Sequence, residues 1–243
     1  MAAVIITGAG SGIGRATARV FARKGWSVLC ADLVADAAQK TAASIGDQAR
    51  SFVLDVLDED GCDRAVAAAV ELGELSAVVT CAGANGRARA DEMSRDMFEH
   101  IMGVNVTGSF LIARAAGRVM IEQGTRGAVT LISSINGVHA LAGQAAYATS
   151  KGAVLMLAKV LAVDWGPFGI RVNSIGPGLT DTPMAAGMLA DEKKMRWAMD
   201  RIPLKRVADP EDIGEVIHFL SSDSARHVTG VFVPVDGGWL TGA

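Results

Sequence analysis

The stretch "AVIITGAGSGIG" (3–14) decides how the rest of the chain is read. Residues 3–7 form a short apolar run, and glycines stand at 8, 10, 12 and 14. "RATARVFARKG" (15–25) then takes up helical spacing and stops at a glycine. Strand, glycine turn and helix in that order let the backbone approach a pyrophosphate. The helix N-terminus adds free N–H groups and the positive end of its dipole. The strict G-x-G-x-x-G spacing is absent, and Gly8-x-x-x-Gly12-x-Gly14 stands in its place. Taken alone, that pattern also suits a plain tight turn. Asp32 ends the next apolar run, "SVLCAD" (27–32), 18 positions after Gly14. A carboxylate there can accept hydrogen bonds from ribose hydroxyls and repels a 2′-phosphate, which favours NAD over NADP. Arg15 lies inside the helix start and reads as structural or solvated.

Outward from this stretch, apolar runs alternate with longer amphipathic ones. "SFVLDV" (51–56), "SAVVTCAG" (76–83), "GAVTLISS" (127–134), "IRVNSIGPG" (170–178) and "VFVPVDGG" (231–238) read as further strands. Helices are expected near 35–45, 58–72, 93–122, 145–164 and 210–222. The strands are apolar throughout, as in a parallel sheet covered on both faces. The economical reading is one doubly wound α/β domain over residues 1–243, with a seven-stranded parallel sheet and helices on both faces.

Half of the 243 residues are hydrophobic and a fifth charged, the balance of an ordinary globular chain. A net charge of −3 argues against nucleic acid as a partner. Cys30, Cys62 and Cys81 are widely spaced and odd in number, which suits a reducing cytoplasm rather than a disulfide framework. The N-terminus has no basic segment before its apolar run, and no apolar run approaches the ~18 residues of a membrane span. The four histidines are dispersed, so no zinc site is expected.

Tyr147 is the only tyrosine, and Lys151 follows one helical turn later in "QAAYATSK" (144–151). A free phenol with a pKa of about 10 is a poor base near neutrality. A nearby ammonium stabilises phenolate, so the pair can move a proton. Tyr–Lys pairs at this spacing are also common on solvated helix faces. Ser134, 13 positions earlier at the end of a strand, changes the balance. Ligands in such folds bind beyond the carboxyl ends of strands.

With these residues in view, the chain resembles the short-chain dehydrogenase/reductase family from Thr7 to about Gly238. "TGAGSGIG" (7–14), "LDV" (54–56), "CAG" (81–83), Asn105, Ser134, "YATSK" (147–151), "PG" (177–178) and "VDGG" (235–238) carry the resemblance. It implies a Rossmann-type fold and hydride transfer with NAD. Ser134 would orient the substrate oxygen, and Tyr147 would be the acid–base residue. Lys151 would bond the nicotinamide ribose and lower the phenol's pKa. Asn105 would hold a water joining Lys151 to solvent; read locally, it is also a packed helix amide. Gly8, Ser11, Gly12, Ile13 and Gly14 would cradle the dinucleotide with Asp32. Asp55 and Val56 would contact adenine, and Ala82 and Gly83 the adenosine and ribose side. Pro177, Gly178, Thr180 and Thr182 would lie along the nicotinamide. The resemblance further implies a homotetramer built through the long helices at 93–122 and 145–164 and the C-terminal strand region. Cys81 stands where the family often has asparagine, and Thr180 where an aliphatic residue is usual.

The segment 179–206, after "PG", would be a lid over the substrate. Met184, Met188, Leu189, Met195, Trp197 and Met199 give it an adaptable apolar surface. Asn136 and His139 follow Ser134 and are candidate substrate contacts, although a loop histidine is as readily solvated. The expected reaction interconverts a secondary alcohol and a ketone. A 3-oxoacyl thioester reductase and a polyol or sugar dehydrogenase are the alternatives within the class. A catalytically silent NAD-binding sensor is the alternative outside it.

Overall fold

The computed structural model describes residues 1–242. Its seven strands are β1 (Ala2–Thr7), β2 (Ser27–Asp32), β3 (Ala49–Val53), β4 (Glu74–Thr80), β5 (Ala128–Ile132), β6 (Arg171–Pro177) and β7 (Phe232–Val235). They form one sheet in the order β3-β2-β1-β4-β5-β6-β7, and every pairing is parallel. The chain therefore winds outward from β1 to β3, then returns to β4 and winds the other way. That reversal opens a crevice beyond the carboxyl ends of β1 and β4. Thr7 and Thr80 pair at its floor.

Period-two alternation in β1 sends side chains to both faces. Ile5 packs in a core with helices α3 (Glu59–Val70), α5 (Ser109–Gln123) and α6 (Ala145–Trp165). Val4 and Ile6 pack on the other side with α1 (Gly12–Arg23) and α9 (Pro210–Ser221). All three residues are fully buried. A hydrophobic run without alternation is what double coverage requires. The two edge strands depart from that expectation. β3 and β7 are only partly covered, because each has a neighbour on one side.

The expected helix over 93–122 is three segments. α4 (Arg95–Met102) runs into a π-helical stretch, Gly103–Gly108, before α5 begins. Between β6 and α9 come a single turn at Pro183–Ala185, α7 (Ala186–Leu189) and α8 (Glu192–Arg201). Asp191 caps α8 by accepting from the backbone N–H groups of Lys193 and Lys194. Ala198 and Ile202 anchor this region on Ile135 and on Trp239 of the short C-terminal α10 (Trp239–Gly242). α2 (Ala35–Ile45) completes the helices.

Candidate active site

β5 ends at Ile132, and the chain continues through Ser133 and Ser134 into a single helical turn. Ser134 caps that turn: its Oγ accepts from the Asn136 N–H at 3.1 Å, which leaves its own hydroxyl proton free to donate. α6 starts close by and presents Tyr147 and Lys151 from its first two turns. Lys151 is 5% exposed, and its ammonium donates to the Ile132 carbonyl at 2.8 Å. Ser133 Oγ donates to the Lys151 carbonyl at 2.7 Å, tying strand to helix. Two of the ammonium's three donors remain free to meet a ligand.

Burial pushes the Tyr147 phenol above its ordinary value, and a hydrogen bond with Ser134 pulls it only part of the way back. Lys151 stands beside the phenol. Its nitrogen sits 5.6 Å from the ring centroid, and burial holds the ammonium itself down at about 8. A lysine already close to giving up its charge stabilises a neighbouring phenolate less than a solvated one would. Cys81 shares this environment, where burial pushes its thiol up to about 12.

Asn105 lies in the π-helical stretch and is fully buried. Its Oδ1 accepts from the Ala84 N–H at 2.7 Å, and its Nδ2 donates to the Ala84 carbonyl at 3.0 Å and to Ser150 Oγ at 2.8 Å. Both amide protons are committed to protein, so the packed-amide reading describes most of its bonding. One Oδ1 lone pair is left for a water.

The glycine turn is built so that only glycine suits it. Gly8 has φ +65°, and a Cβ there would meet the Ala82 backbone nitrogen at 2.7 Å. Gly12 has φ +47°, and a Cβ there would crowd Thr182 at 3.1 Å. Nothing but glycine leaves the backbone open at these points. Asp32 Oδ2 accepts from the Gly10 N–H at 2.8 Å and Oδ1 from the Val34 N–H at 2.9 Å. Each oxygen retains a lone pair for a ribose hydroxyl. Arg15 reaches the Gly10 carbonyl and Thr41 Oγ1, so its role is structural. Asp55 Oδ1 holds the Leu57 N–H at 2.9 Å, Val56 is buried, and the Ala82 N–H donates to Thr7 Oγ1 at 3.2 Å.

A cavity of about 990 Å³ opens at this crevice. Of the expected residues, Ile13, Gly83, Ser134, Asn136, Tyr147 and Lys151 line it. So do Pro177, Gly178, Thr180, Thr182, Met184 and Met188. His139 does not: it follows the capped turn, and its backbone N–H bonds to the Ile135 carbonyl. Gly8, Ser11, Gly12, Gly14, Asp32, Asp55, Val56 and Ala82 also lie outside the lining, as does Asn105. Arg87, Gln144 and Trp239 were not expected and are part of the wall. Gln144 stands inside "QAAYATSK", three positions before Tyr147, and that proximity was the available signal. Asn136 Oδ1 and Trp239 Nε1 are buried without a protein partner.

A family model described as enoyl-(acyl carrier protein) reductase matches residues 8–240. L-rhamnose 1-dehydrogenase (NAD(P)(+)) of Azotobacter vinelandii is 37% identical over 97% of this chain and 95% of that protein. Cis-4-hydroxycyclohexanecarboxylate dehydrogenase of Sinomonas cyclohexanicum is 38% identical over 97% of this chain and 95% of its own. A solved short-chain type dehydrogenase/reductase from Mycobacterium ulcerans superposes with a TM-score of 0.94 at 30% identity, covering 98% of this chain and 89% of that one. The fold and the Ser134–Tyr147–Lys151 cluster define a dinucleotide-dependent oxidoreductase. The chain belongs to the short-chain dehydrogenase/reductase family.

Proposed function

We propose that this enzyme oxidises a secondary alcohol to a ketone, or reduces the ketone, with Tyr147 as the acid–base residue and NAD as the preferred cofactor. The carrying observation is the convergence of Ser134, Tyr147 and Lys151 on one cavity beside the glycine turn. That the chain is an NAD(P)-dependent oxidoreductase of CH–OH groups rests on its family.

The glycine turn and Asp32 would hold the adenosine half of the dinucleotide. Ile13, Lys151, Pro177, Gly178 and Thr182 lie where its nicotinamide half would extend. When bound, the nicotinamide takes up or gives back a hydride. The chain supplies the rest. Ser134 donates its hydroxyl proton to the substrate oxygen and fixes the carbinol against Tyr147. In oxidation the phenolate takes the alcohol proton as the carbinol hydrogen leaves as hydride; in reduction the phenol returns the proton. The free donors of Lys151 bond ribose hydroxyls, and the apolar wall from Met184 and Met188 keeps water from the reacting carbon. Asp32 supports NAD, since a 2′-phosphate would meet its carboxylate.

The test assays wild type and Tyr147→Phe on a panel of secondary alcohols and ketones with NAD and with NADP. Turnover should favour NAD, and kcat of the variant should fall ~10³-fold or more with dinucleotide affinity retained. Near-normal kcat in Tyr147→Phe sinks the acid–base assignment, and a clear NADP preference sinks the cofactor assignment. We place the enzyme in a reducing cytoplasm, supported by three unpaired cysteines, and infer a homotetramer, supported by an exposed apolar stripe on α6.

A further inference from the structure

Arg87 sits in the wall of the active-site cavity without a carboxylate partner. No aspartate or glutamate is among the described residues that line the cavity. Its two other cations are accounted for: Lys151 is bonded to the Ile132 carbonyl, and Lys194 forms an ion pair with Asp191 at 2.9 Å. Arg87 makes no salt bridge among the described residues, whereas Arg89, two positions on, is paired with Asp91 and Glu92.

The guanidinium is nonetheless held in place. With the Gln144 amide oriented to suit its neighbours, the carbonyl oxygen accepts from Arg87 Nε at 3.1 Å and Nη2 at 3.2 Å. Gln144 is 3% exposed, so a buried amide fixes an otherwise exposed side chain. The neighbouring backbone is clamped too, because the Ala88 N–H donates to the Gly143 carbonyl at 3.2 Å. A guanidinium has five N–H donors, and Gln144 takes two. The three left can grip a planar anion in bidentate fashion. Gln144 is the N-cap of α6, so this grip lies about one helical turn from Tyr147.

We propose that Arg87, positioned by Gln144, recognises a carboxylate on the substrate, so that the enzyme acts on a hydroxy acid and its keto acid rather than on a neutral alcohol. This rests on the alcohol–ketone reading above and narrows its substrate class. The carbinol bonds Ser134 and Tyr147 while the acid group reaches Arg87 across the same cavity. The apolar lid covers the carbon skeleton between them. The competing role for Arg87 is structural, tying its loop to the start of α6. A structural tie would not distinguish a charged ligand from its neutral twin.

The test uses matched pairs: cyclohexanecarboxylate with cyclohexanecarboxamide, butanoate with butanamide, and benzoate with benzamide. Each is titrated calorimetrically into the NAD-loaded enzyme. At least one acid should bind ~10- to 100-fold tighter than its amide. Arg87→Met should erase that ratio, and Arg87→Lys should restore part of it, because an ammonium keeps the charge but loses the fork. If no pair shows a preference for the acid, or if the preference survives in Arg87→Met, the inference is overturned. An enzyme that binds NAD yet treats acid and amide alike overturns this inference alone. A chain that binds neither dinucleotide overturns the oxidoreductase reading and this inference with it.

Discussion

An ammonium buried as deeply as that of Lys151 works against folding at neutral pH. Its ordinary value is 10.5 and burial lowers it to about 8 in the folded chain. Below 8 both states carry the proton, and the full penalty is present. Between about 8 and 10.5 the unfolded chain binds more protons, so this group makes stability rise with pH. The whole effect is about 3 kcal/mol. The thiols of Cys30, Cys62 and Cys81, pushed up to about 12, 11 and 12, act in the opposite sense above their ordinary value. The difference between Lys151→Met and wild type reports the lysine together with its coupling to the Cys81 thiol. The variant's stability advantage should shrink by about 2–3 kcal/mol between pH 7.5 and 10 in urea titrations. Parallel pH courses for the two proteins would refute the assignment. None of this was legible in "QAAYATSK". Spacing placed Tyr147 and Lys151 on one face, but the shifts depend on how deeply the fold buries them. Arg87 was missed for the same reason: a loop arginine acquires meaning only when Gln144 is seen to hold it.

At the scale of elements, α1, α2, α6 and α9 were readable because their apolar spacing and stops are local. The π-helical stretch Gly103–Gly108 was not. "GVNVTG" keeps the hydrophobic rhythm of the helix it interrupts, and its glycines and β-branched residues only weaken helix propensity. What settles the wider turn there is long-range: Asn105 reaches Ala84 and Ser150, 21 and 45 positions away. Asn105→Ala removes three hydrogen bonds and leaves the half-buried Ala84 amide groups without those partners. The expected loss is about 2–4 kcal/mol of unfolding free energy. Activity should fall with it, because the loop carrying Gly83 and Ala84 flanks Lys151. A loss below about 0.5 kcal/mol in urea denaturation would show that water replaces the amide and that the side chain does not hold the loop.

At the scale of the molecule, α6 raises a question the single chain does not answer. With its terminal turn it is long and apolar enough, by length and composition, to cross a membrane. Reading for unbroken apolar runs passed over this, because Lys151 and Lys159 interrupt the helix. Yet it packs against β5 and β6 and carries Tyr147 and Lys151 of the cavity wall, so it is a core helix of this fold. Its remaining apolar face is uncovered. Met156, Val160 and Val163 are 55%, 48% and 76% exposed and recur at i, i+4 and i+7. α4, which also packs on α6, adds Met97 and Phe98. A stripe of this kind is stabilised when a second copy of the chain covers it. The homotetramer we infer places this face between subunits. Replacing Val160 and Val163 together with glutamate sets like charges against each other across such an interface, while neither residue is buried in the isolated chain. Light scattering after size exclusion should give four copies per particle for wild type and fewer for the double variant, with the circular dichroism of the fold preserved. A monomeric wild type, or a double variant that remains tetrameric, would show that α6 does not form the interface.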